Sequence, residues 1–424
     1  MENEQLELVR FDDERDMESV LRVWTETGWF DGEDRQKAQI KEFFQANDGR
    51  SLVALLDGDA ESVVHCTLGS MRYGTVPVCR ELSVGAITAV TTSRIARKLG
   101  AASRLTARTI AEMGDDGAAI ALLGMFEQGF YDRFGFGVGP YEIKVFAYPG
   151  SLRVPAEYRT PERFDFEHHS DELHDSVVNR YRTHGGVVIG GERSTTTAVN
   201  LDYEVSIYGY RTDGAISHWM ALEHSGETGP DRVVAWAYQS PEQCLELLRV
   251  IQEWGDQVDL IRFIEPPWMQ AQDFDSEPGH NYRRTKGTKV HVRTEADAWW
   301  QIRIVDIETC IAAMAPVSEP FEVVVEIDDP VEHHLTGSGY SGSWKPLTGM
   351  WRFSFGESHS AERVTDAPNL DLRTSINALS RWWLGVLPAT ALGVTGQMDA
   401  DHSTLARLDR LTAHLPRPHP GWDF

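Results

Sequence analysis

The sequence that decides the fold begins with Val84-Gly-Ala-Ile-Thr-Ala-Val-Thr-Thr92, continues through Arg97-Lys-Leu-Gly-Ala-Ala102 and ends with Phe126-Glu-Gln-Gly-Phe-Tyr-Asp-Arg-Phe-Gly-Phe-Gly137. The first segment is short, apolar and β-branched, which is typical of a strand. The second predicts a tight basic turn and then a helix that Gly114 caps. Residues 118–124 predict another strand. The order is therefore strand, basic turn, helix, strand and aromatic-glycine turn.

The basic turn suits the binding of a phosphate group. Gly100 and the alanines at 101 and 102 are small, so a pyrophosphate can approach the backbone. The first N–H groups of a helix lack partners within it, and the helix dipole favours an anion there. Arg97 and Lys98 add positive charge. Taken alone, this pattern fits a basic turn before an ordinary surface helix equally well. The order of elements over residues 84–137 favours the phosphate site.

That order, with those residues, resembles the GCN5-related N-acetyltransferases (GNATs), in which an Arg/Gln-x-x-Gly-x-Gly/Ala turn binds the pyrophosphate of acetyl-CoA. More narrowly, residues 128–137 are similar to the signature of the "enhanced intracellular survival" (Eis) branch. The resemblance implies an α/β (α+β) chain with two tandem GNAT-like domains, the second degenerate, and a C-terminal sterol-carrier-like domain. We therefore place the three domains at residues 1–150, 151–297 and 298–424. The run Thr91-Thr-Ser-Arg94 departs from the family, which often has a proline there.

The resemblance also assigns roles to residues near the basic turn. Tyr131 corresponds to the family's general acid, and a phenol with a pKa of about 10 stays protonated at neutral pH. The alternative is that Tyr131 only packs as an aromatic residue. Backbone donors at the end of the first strand can stabilise the thioester oxygen. The residues expected to bind acetyl-CoA are Val90, Thr91, Thr92, Arg97, Lys98, Leu99, Gly100, Ala101 and Ala102.

Aromatic and acidic residues near the N-terminus predict a wall of the amine pocket. They are Trp24, Glu26, Trp29, Phe30 and Asp31, in the region that lines this pocket in the resembled family. Aromatic faces and carboxylates attract cations. The alternative is core packing for the tryptophans and a solvated face for the acids.

The last residues, Pro-His-Pro-Gly-Trp-Asp-Phe424, are rich in proline, whereas most C-termini fray. In the Eis branch the C-terminal carboxylate reaches the first domain and acts as a base. The resemblance therefore implies this role for the carboxylate of Phe424, with Asp423 beside it in the substrate site. An α-carboxyl pKa of about 3.5 makes a poor base, so without burial we expect this group to orient the cation or relay a proton through water. An untethered tail is the alternative.

Composition limits the remaining possibilities. A length of 424 residues indicates two or three domains, and no apolar run is long enough to span a membrane. The N-terminus lacks a secretory signal, and the four distant cysteines fit neither zinc nor a disulfide framework. The fifteen histidines also form no metal-binding pattern. We therefore expect a cytoplasmic protein without a bound metal.

The formal charge of −25 argues against a nucleic-acid surface and suits cationic partners. Only seven of the 40 basic residues are lysines. An acidic surplus with little lysine is consistent with adaptation to concentrated salt. A GC-rich genome would also favour arginine, but it would not explain the acidic residues.

The leading hypothesis is an N-acetyltransferase that moves the acetyl group of acetyl-CoA to a primary amine of an aminoglycoside, polyamine or lysine-type acceptor. The alternative is a non-catalytic lipid or acyl carrier that uses the C-terminal domain. A preference for longer acyl chains is a third possibility. In the second domain, Ser240-Pro-Glu replaces the basic turn, so we expect no CoA binding there. The resemblance implies a homohexamer.

Overall fold

The computed structural model describes residues 6–32, 34–45, 50–125, 127, 129–189, 204–226, 229–276, 292–365 and 369–422. In chain order, the strands are β1 (Glu7–Arg10), β2 (Leu52–Leu56), β3 (Asp59–Thr75), β4 (Val78–Thr92), β5 (Ile120–Gly124), β6 (Gly137–Val138), β7 (Glu142–Ala147), β8 (Glu162–Phe164), β9 (Val187–Ile189), β10 (Val205–Thr212), β11 (Ala215–Glu223), β12 (Asp231–Ala237), β13 (Ile261–Ile264), β14 (Arg293–Asp297), β15 (Trp300–Ile304), β16 (Phe321–Asp328), β17 (Gly349–Phe355), β18 (Ser360–Val364), β19 (Leu372–Ser375) and β20 (Met398–Ala400).

The helices follow from the apolar spacing and capping residues of the sequence. Asp12, for example, caps the first helix by accepting a hydrogen bond from the backbone N–H of Arg15, and Gly28 ends it in the left-handed region. In chain order, the helices are α1 (Asp13–Thr27), α2 (Asp34–Gln45), α3 (Ala101–Asp115), α4 (Phe166–Val178), α5 (Pro241–Glu253), α6 (Ile307–Ala312), α7 (Glu332–Leu335), α8 (Ile376–Trp383), α9 (Ala389–Val394) and α10 (His402–Thr412).

The chain forms two compact units. The first contains the chain up to Pro140, a segment around β9, and the chain from Trp299 onward. Its larger sheet has the order β1-β2-β3-β4-β5-β15-β6, with β9 paired to β3. Its smaller sheet has the order β18-β17-β16-β19-β20. The second unit contains the sheet β14-β7-β13-β12-β11-β10-β8.

The strand–helix–strand order predicted for both halves is present. In the first unit, β4 and β5 are parallel neighbours and α3 connects them. In the second unit, β12 and β13 are parallel neighbours and α5 connects them. A parallel pair requires such a crossover connection, so the repeated order gives the same local topology twice.

The strand β15 is placed differently from the sequence prediction. The sequence suggests that the third domain begins there, but β15 pairs with β5 from Trp300↔Gly124 to Ile304↔Ile120 and also pairs with β6. It therefore completes the first sheet. Strand pairing between distant segments depends on partners that local sequence patterns do not identify.

One local prediction was wrong. Gly114 does not cap α3 but lies within it, where a Cβ atom would collide with the indole of Trp344. Elsewhere in the first unit, β3 and β4 form one long hairpin that turns at residues 76 and 77. The helix α8 begins at Ile376, after β19, because the side chain of Ser375 caps it there.

Two hydrophobic clusters lie in the first unit. One, the α3 cluster, contains α3 residues such as Leu105 and Ile110 together with Tyr131 and Phe134. The other, the α1 cluster, contains α1 residues such as Val20 and residues of α2.

Among the described residues, no helix combines the length and apolarity that a membrane crossing requires.

Candidate active site

The end of β4 separates from β5 beside the basic turn. The pairing of the two strands ends at Ile87↔Leu123, whereas β4 continues to Thr92. Within this extension, Ala89 and Val90 together face a single residue of β3, which defines a β-bulge, and Ala89 has a φ of 53°. Ala89 belongs to the α1 cluster, and Val90 packs against the α3 cluster. Because bulges redirect neighbouring groups, they are frequent beside active sites.

The basic turn has the backbone geometry that the sequence predicts for an anion site. Lys98 and Gly100 have φ values of 69° and 78°, and Gly100 precedes α3 without a side-chain cap. The guanidinium of Arg104 donates to the carbonyl oxygens of Leu99 at 3.1 Å and Gly100 at 3.5 Å. Because it binds carbonyl groups, this side chain does not cover the N–H groups of the turn. Arg97 and residues 98–100 are exposed. The N-terminus of α3 can therefore accept a phosphate group.

The stretch of sequence that contains this turn has a charge opposite to that of the whole chain. Between Glu81 and Glu112 there is no acidic residue, although the chain contains 65 acidic residues. The same stretch holds five basic residues, which are Arg94, Arg97, Lys98, Arg104 and Arg108. A local positive charge in an acidic protein favours an anionic ligand at this position.

The corresponding helix of the second unit begins differently. The Ser240 side chain accepts a hydrogen bond from the backbone N–H of Gln243, and Pro241 occupies the first turn, where it offers no N–H group. These features remove donors that a phosphate would need. They support the prediction that only the first unit binds CoA.

The predicted pocket residues lie at the end of β4. Trp24 Nε1 donates to Thr91 Oγ1 at 3.0 Å, and the rings of Trp24 and Trp29 are 5.7 Å apart. The carboxylate of Glu26 accepts from the backbone N–H of Arg94 at 3.2 Å. Trp24 is only 6% exposed and belongs to the core, whereas Trp29 is 44% exposed. Of the two tryptophans, Trp29 is therefore the one that a ligand can reach.

Two of the residues predicted at the thioester already have partners. The hydroxyl of Ser62 donates to the carbonyl oxygen of Thr91 at 2.8 Å and lies 2.8 Å from the hydroxyl of Thr92. Val90 lies in the bulge instead. The bulge interrupts the pairing of β3 and β4, so Val90 is, within residues 90–92, the position best suited to offer a backbone donor.

Tyr131 begins a short 3₁₀ turn that ends at Phe134 and is followed by Gly135. Its side chain is 7% exposed and belongs to the same cluster against which Val90 packs. Burial, and to a smaller extent the nearby carboxylate of Glu127, raises the pKa of Tyr131 to about 12. Among the described residues, its hydroxyl has no hydrogen-bond partner. The phenol is therefore protonated at neutral pH and available to a ligand.

Sequence reasoning missed four side chains that hold this turn. Arg303, Asn377 and Gln301 donate hydrogen bonds to the turn, and Asp329 pairs with Arg303. They come from segments more than 160 positions later in the chain. The one available signal is the glycine spacing after Phe134, because glycines often mark a close approach of other groups.

The described part of the C-terminal tail is attached to the first unit. The backbone N–H of His419 donates to the carbonyl oxygen of His184 at 3.2 Å, and that of Val187 donates to Pro420 at 2.9 Å. Trp422 is buried. His184 is itself buried, which lowers its pKa to about 4. The predicted site residues Asp423 and Phe424 lie outside the described residues.

Comparisons with known families identify two parts of the chain. Residues 9–139 match the acetyltransferase (GNAT) domain family. The chain carries a GNAT acetyltransferase domain. Residues 311–420 match the sterol carrier protein domain family. The predicted mixed α/β fold, with a GNAT domain at the N-terminus and a sterol carrier domain at the C-terminus, is confirmed, as is the prediction of an acyltransferase enzyme. The match does not favour a non-catalytic carrier.

Solved structures resemble this chain over nearly its whole length. At 14–17% identity, the likeness shows a shared fold, and it confirms the Eis-like resemblance at that level. No curated protein matches the chain. The structures include a probable N-acyltransferase from Enterococcus faecalis V583 (TM-score 0.76, 16% identity, 97% of this chain and 98% of that chain), a GCN5-related N-acetyltransferase from Kribbella flavida (0.72, 17%, 99% and 98%) and Eis1 from Mycobacterium abscessus (0.74, 17%, 99% and 100%).

The described residues contain no group of three or more His, Cys, Asp or Glu side chains placed to hold a metal ion. In the same part of the chain, Cys66, Cys79, Cys244 and Cys310 are free cysteines.

Proposed function

We propose that the enzyme transfers the acetyl group of acetyl-CoA to a primary amine of a cationic acceptor. The observation that carries this proposal is the uncapped N-terminus of α3, which follows the left-handed residues Lys98 and Gly100 in a basic stretch without acidic residues. The backbone N–H groups of Ala101 and Ala102, together with Arg97 and Lys98, bind the pyrophosphate. In this proposal the thioester lies at the end of β4, beside the bulge at Val90.

Amide formation breaks the thioester C–S bond and forms a C–N bond. The neutral amine attacks the carbonyl carbon, and backbone donors near Val90 stabilise the oxygen of the tetrahedral intermediate. The departing sulfur receives a proton from Tyr131, and the proton that the amine loses restores the phenol through water. Because a thiol has a pKa of about 8.5, complete transfer from a phenol of higher pKa is uphill. The two proton transfers are therefore coupled.

The terminal carboxylate of Phe424, with Asp423 beside it, holds and orients the cationic acceptor in this proposal. Its support is the anchored tail, in which residues 419 and 420 are hydrogen-bonded and Trp422 is buried. An exposed Trp29 and the partly exposed carboxylate of Glu26 supply further attraction for a cation.

The acidic composition favours acceptors with several positive charges, such as polyamines, aminoglycosides or lysine-containing peptides. The proposal includes a cytoplasmic location and a homohexamer, both of which rest on the sequence and on the Eis-like resemblance. Acetyl is the expected acyl group, and longer acyl-CoA donors are compared in the same assay.

The test of the class is the release of free CoA thiol from acetyl-CoA in the presence of a panel of polyamines and aminoglycosides, at low salt and in molar KCl. We expect amine-dependent thiol release, with multiply charged amines preferred. Acetyl-CoA without amine is the control for hydrolysis. An enzyme that neither binds acetyl-CoA nor releases thiol with any amine would contradict the proposal.

The role of the tail is tested by adding a few glycine and serine residues after Phe424. Because the extension moves the carboxylate away from its position, we expect a lower kcat/KM for the amine and an unchanged KM for acetyl-CoA. A matched extension at Met1 is the control. Full activity of the C-terminally extended enzyme would remove the carboxylate from the proposal.

A further inference from the structure

The turn that carries Tyr131 is held from outside by residues much later in the chain. Asn377 Nδ2 donates to the carbonyl oxygen of Asp132 at 2.8 Å and to that of Phe136 at 2.7 Å. Gln301 Nε2 donates to the carboxylate of Asp132 at 2.7 Å. The turn is therefore fixed on both sides of Phe134, and its own short 3₁₀ segment is too small to be rigid alone.

A buried ion pair supports the same turn. The guanidinium of Arg303 donates to both carboxylate oxygens of Asp329, at 2.8 and 2.6 Å, and also to the carbonyl oxygen of Phe134. Both side chains of the pair are 0% exposed. Asp329 also accepts a hydrogen bond from the backbone N–H of Leu347 at 2.9 Å. Arg303 is thus held in one orientation and presents a fixed donor to the turn.

The glycines of the aromatic-glycine signature follow from this contact. Gly135 has a φ of 86°, and a Cβ atom there would collide with the Arg303 guanidinium and with Ile376. A Cβ atom at Gly137 would collide with the backbone of Asn377. These two glycines permit the close approach of β15 and α8. The contact with β15 and α8 therefore explains why the signature has glycine at these two positions.

We propose that Asn377 and the Arg303–Asp329 pair are positioning residues for Tyr131, so that the sterol carrier protein domain sets the geometry of the catalytic turn. This inference rests on the proposed role of Tyr131 as the acid. Asp329 and Asn377 belong to the segment that matches the sterol carrier protein domain, and Tyr131 belongs to the acetyltransferase domain.

The physical reason is that an acid works only within hydrogen-bond reach of the departing atom. A displacement of about 1 Å from a change outside the reacting groups can reduce the rate about 100-fold. The acetyl-CoA cradle at residues 97–102 shares no hydrogen bond with Asn377 among those described. Loosening the turn should therefore lower kcat and leave the KM for acetyl-CoA unchanged.

The test is a double-mutant cycle between Asn377→Ala and Tyr131→Phe. Asn377→Ala alone is expected to lower kcat about tenfold, within the range expected for a misplaced acid. In the Tyr131→Phe background, the same change should cause no further loss, because the acid through which Asn377 acts is already absent. The isosteric Asn377→Asp, which removes the donor but keeps the shape, should behave like Asn377→Ala.

The control variant is Tyr340→Phe. It removes the 2.7 Å hydrogen bond from the Tyr340 hydroxyl to Asp115 at the end of α3, and it should leave kcat unchanged. An equal loss from Asn377→Ala in both backgrounds would overturn the positioning role, as would full kcat in Asn377→Asp. If Tyr131→Phe itself keeps normal turnover, the proposed acid fails, and the positioning role fails with it. The first two results leave Tyr131 in place as the acid, whereas the third removes Tyr131 from the mechanism and leaves the acetyl transfer itself to the thiol-release assay.

Discussion

Tyr131→Phe is expected to lower kcat about 100-fold or more, which is the usual contribution of a general acid. The ring remains among its aromatic neighbours, whose centroids lie 4.9 Å away for Phe130 and 6.4 Å away for Phe136. The substitution therefore removes the proton donor and keeps the packing. The pKa of about 12 means that the wild-type phenol is protonated throughout the neutral range, so the loss should be independent of pH there.

The measurement is the steady-state kcat at saturating acetyl-CoA and amine, from pH 6 to pH 9, with a thermal melt to verify the fold. Tyr340→Phe, which also removes one phenol hydroxyl from the first unit, serves as the matched control. Turnover of Tyr131→Phe close to that of the wild type would show that another group protonates the sulfur.

Asp329→Ala is expected to lower the free energy of unfolding of the first unit by about 3–5 kcal/mol, because it leaves the fully buried charge of Arg303 without its partner. Chemical denaturation measures this change. The control is Glu326→Ala, which breaks an ion pair with Arg373 in the same domain. Those two side chains are 49% and 64% exposed, so the expected loss is below about 1 kcal/mol.

A second variant separates the loss of attraction from the cost of an isolated charge. The combined change Arg303→Met and Asp329→Leu removes both charges and replaces them with apolar groups, which should recover most of the lost stability. If Asp329→Ala is no more destabilising than Glu326→Ala, the pair does not hold the domain. If the double variant is as unstable as Asp329→Ala, the isolated charge is not the cause.

The sequence alone allowed the central strand–turn–helix–strand unit to be predicted because its signals are local. Gly100, the small residues after it and the basic residues before it define a turn whose geometry depends on neighbours in sequence. The β-branched run before Thr92 likewise indicates a strand irrespective of its partner. These features also identified the turn for which we propose phosphate binding.

The side chains that hold the Tyr131 turn could not be predicted, because their contacts are not local in sequence. Arg303, Asn377 and Asp329 reach the turn only after distant segments have packed together, and nothing in their immediate neighbours distinguishes them from ordinary polar residues. Gly114 was misread for the same reason. In sequence it resembles a glycine that ends a helix, but its small size allows the distant Trp344 to pack against α3.

The position of β15 between β5 and β6 also sets an order of events during synthesis of the protein. As the nascent chain leaves the ribosome, the acetyltransferase sheet cannot close until residues 300–304 have emerged, after the entire second unit. Until then, the edge of β5 exposes unpaired backbone groups to other chains and to chaperones. A fragment ending near residue 150 would retain that open edge permanently.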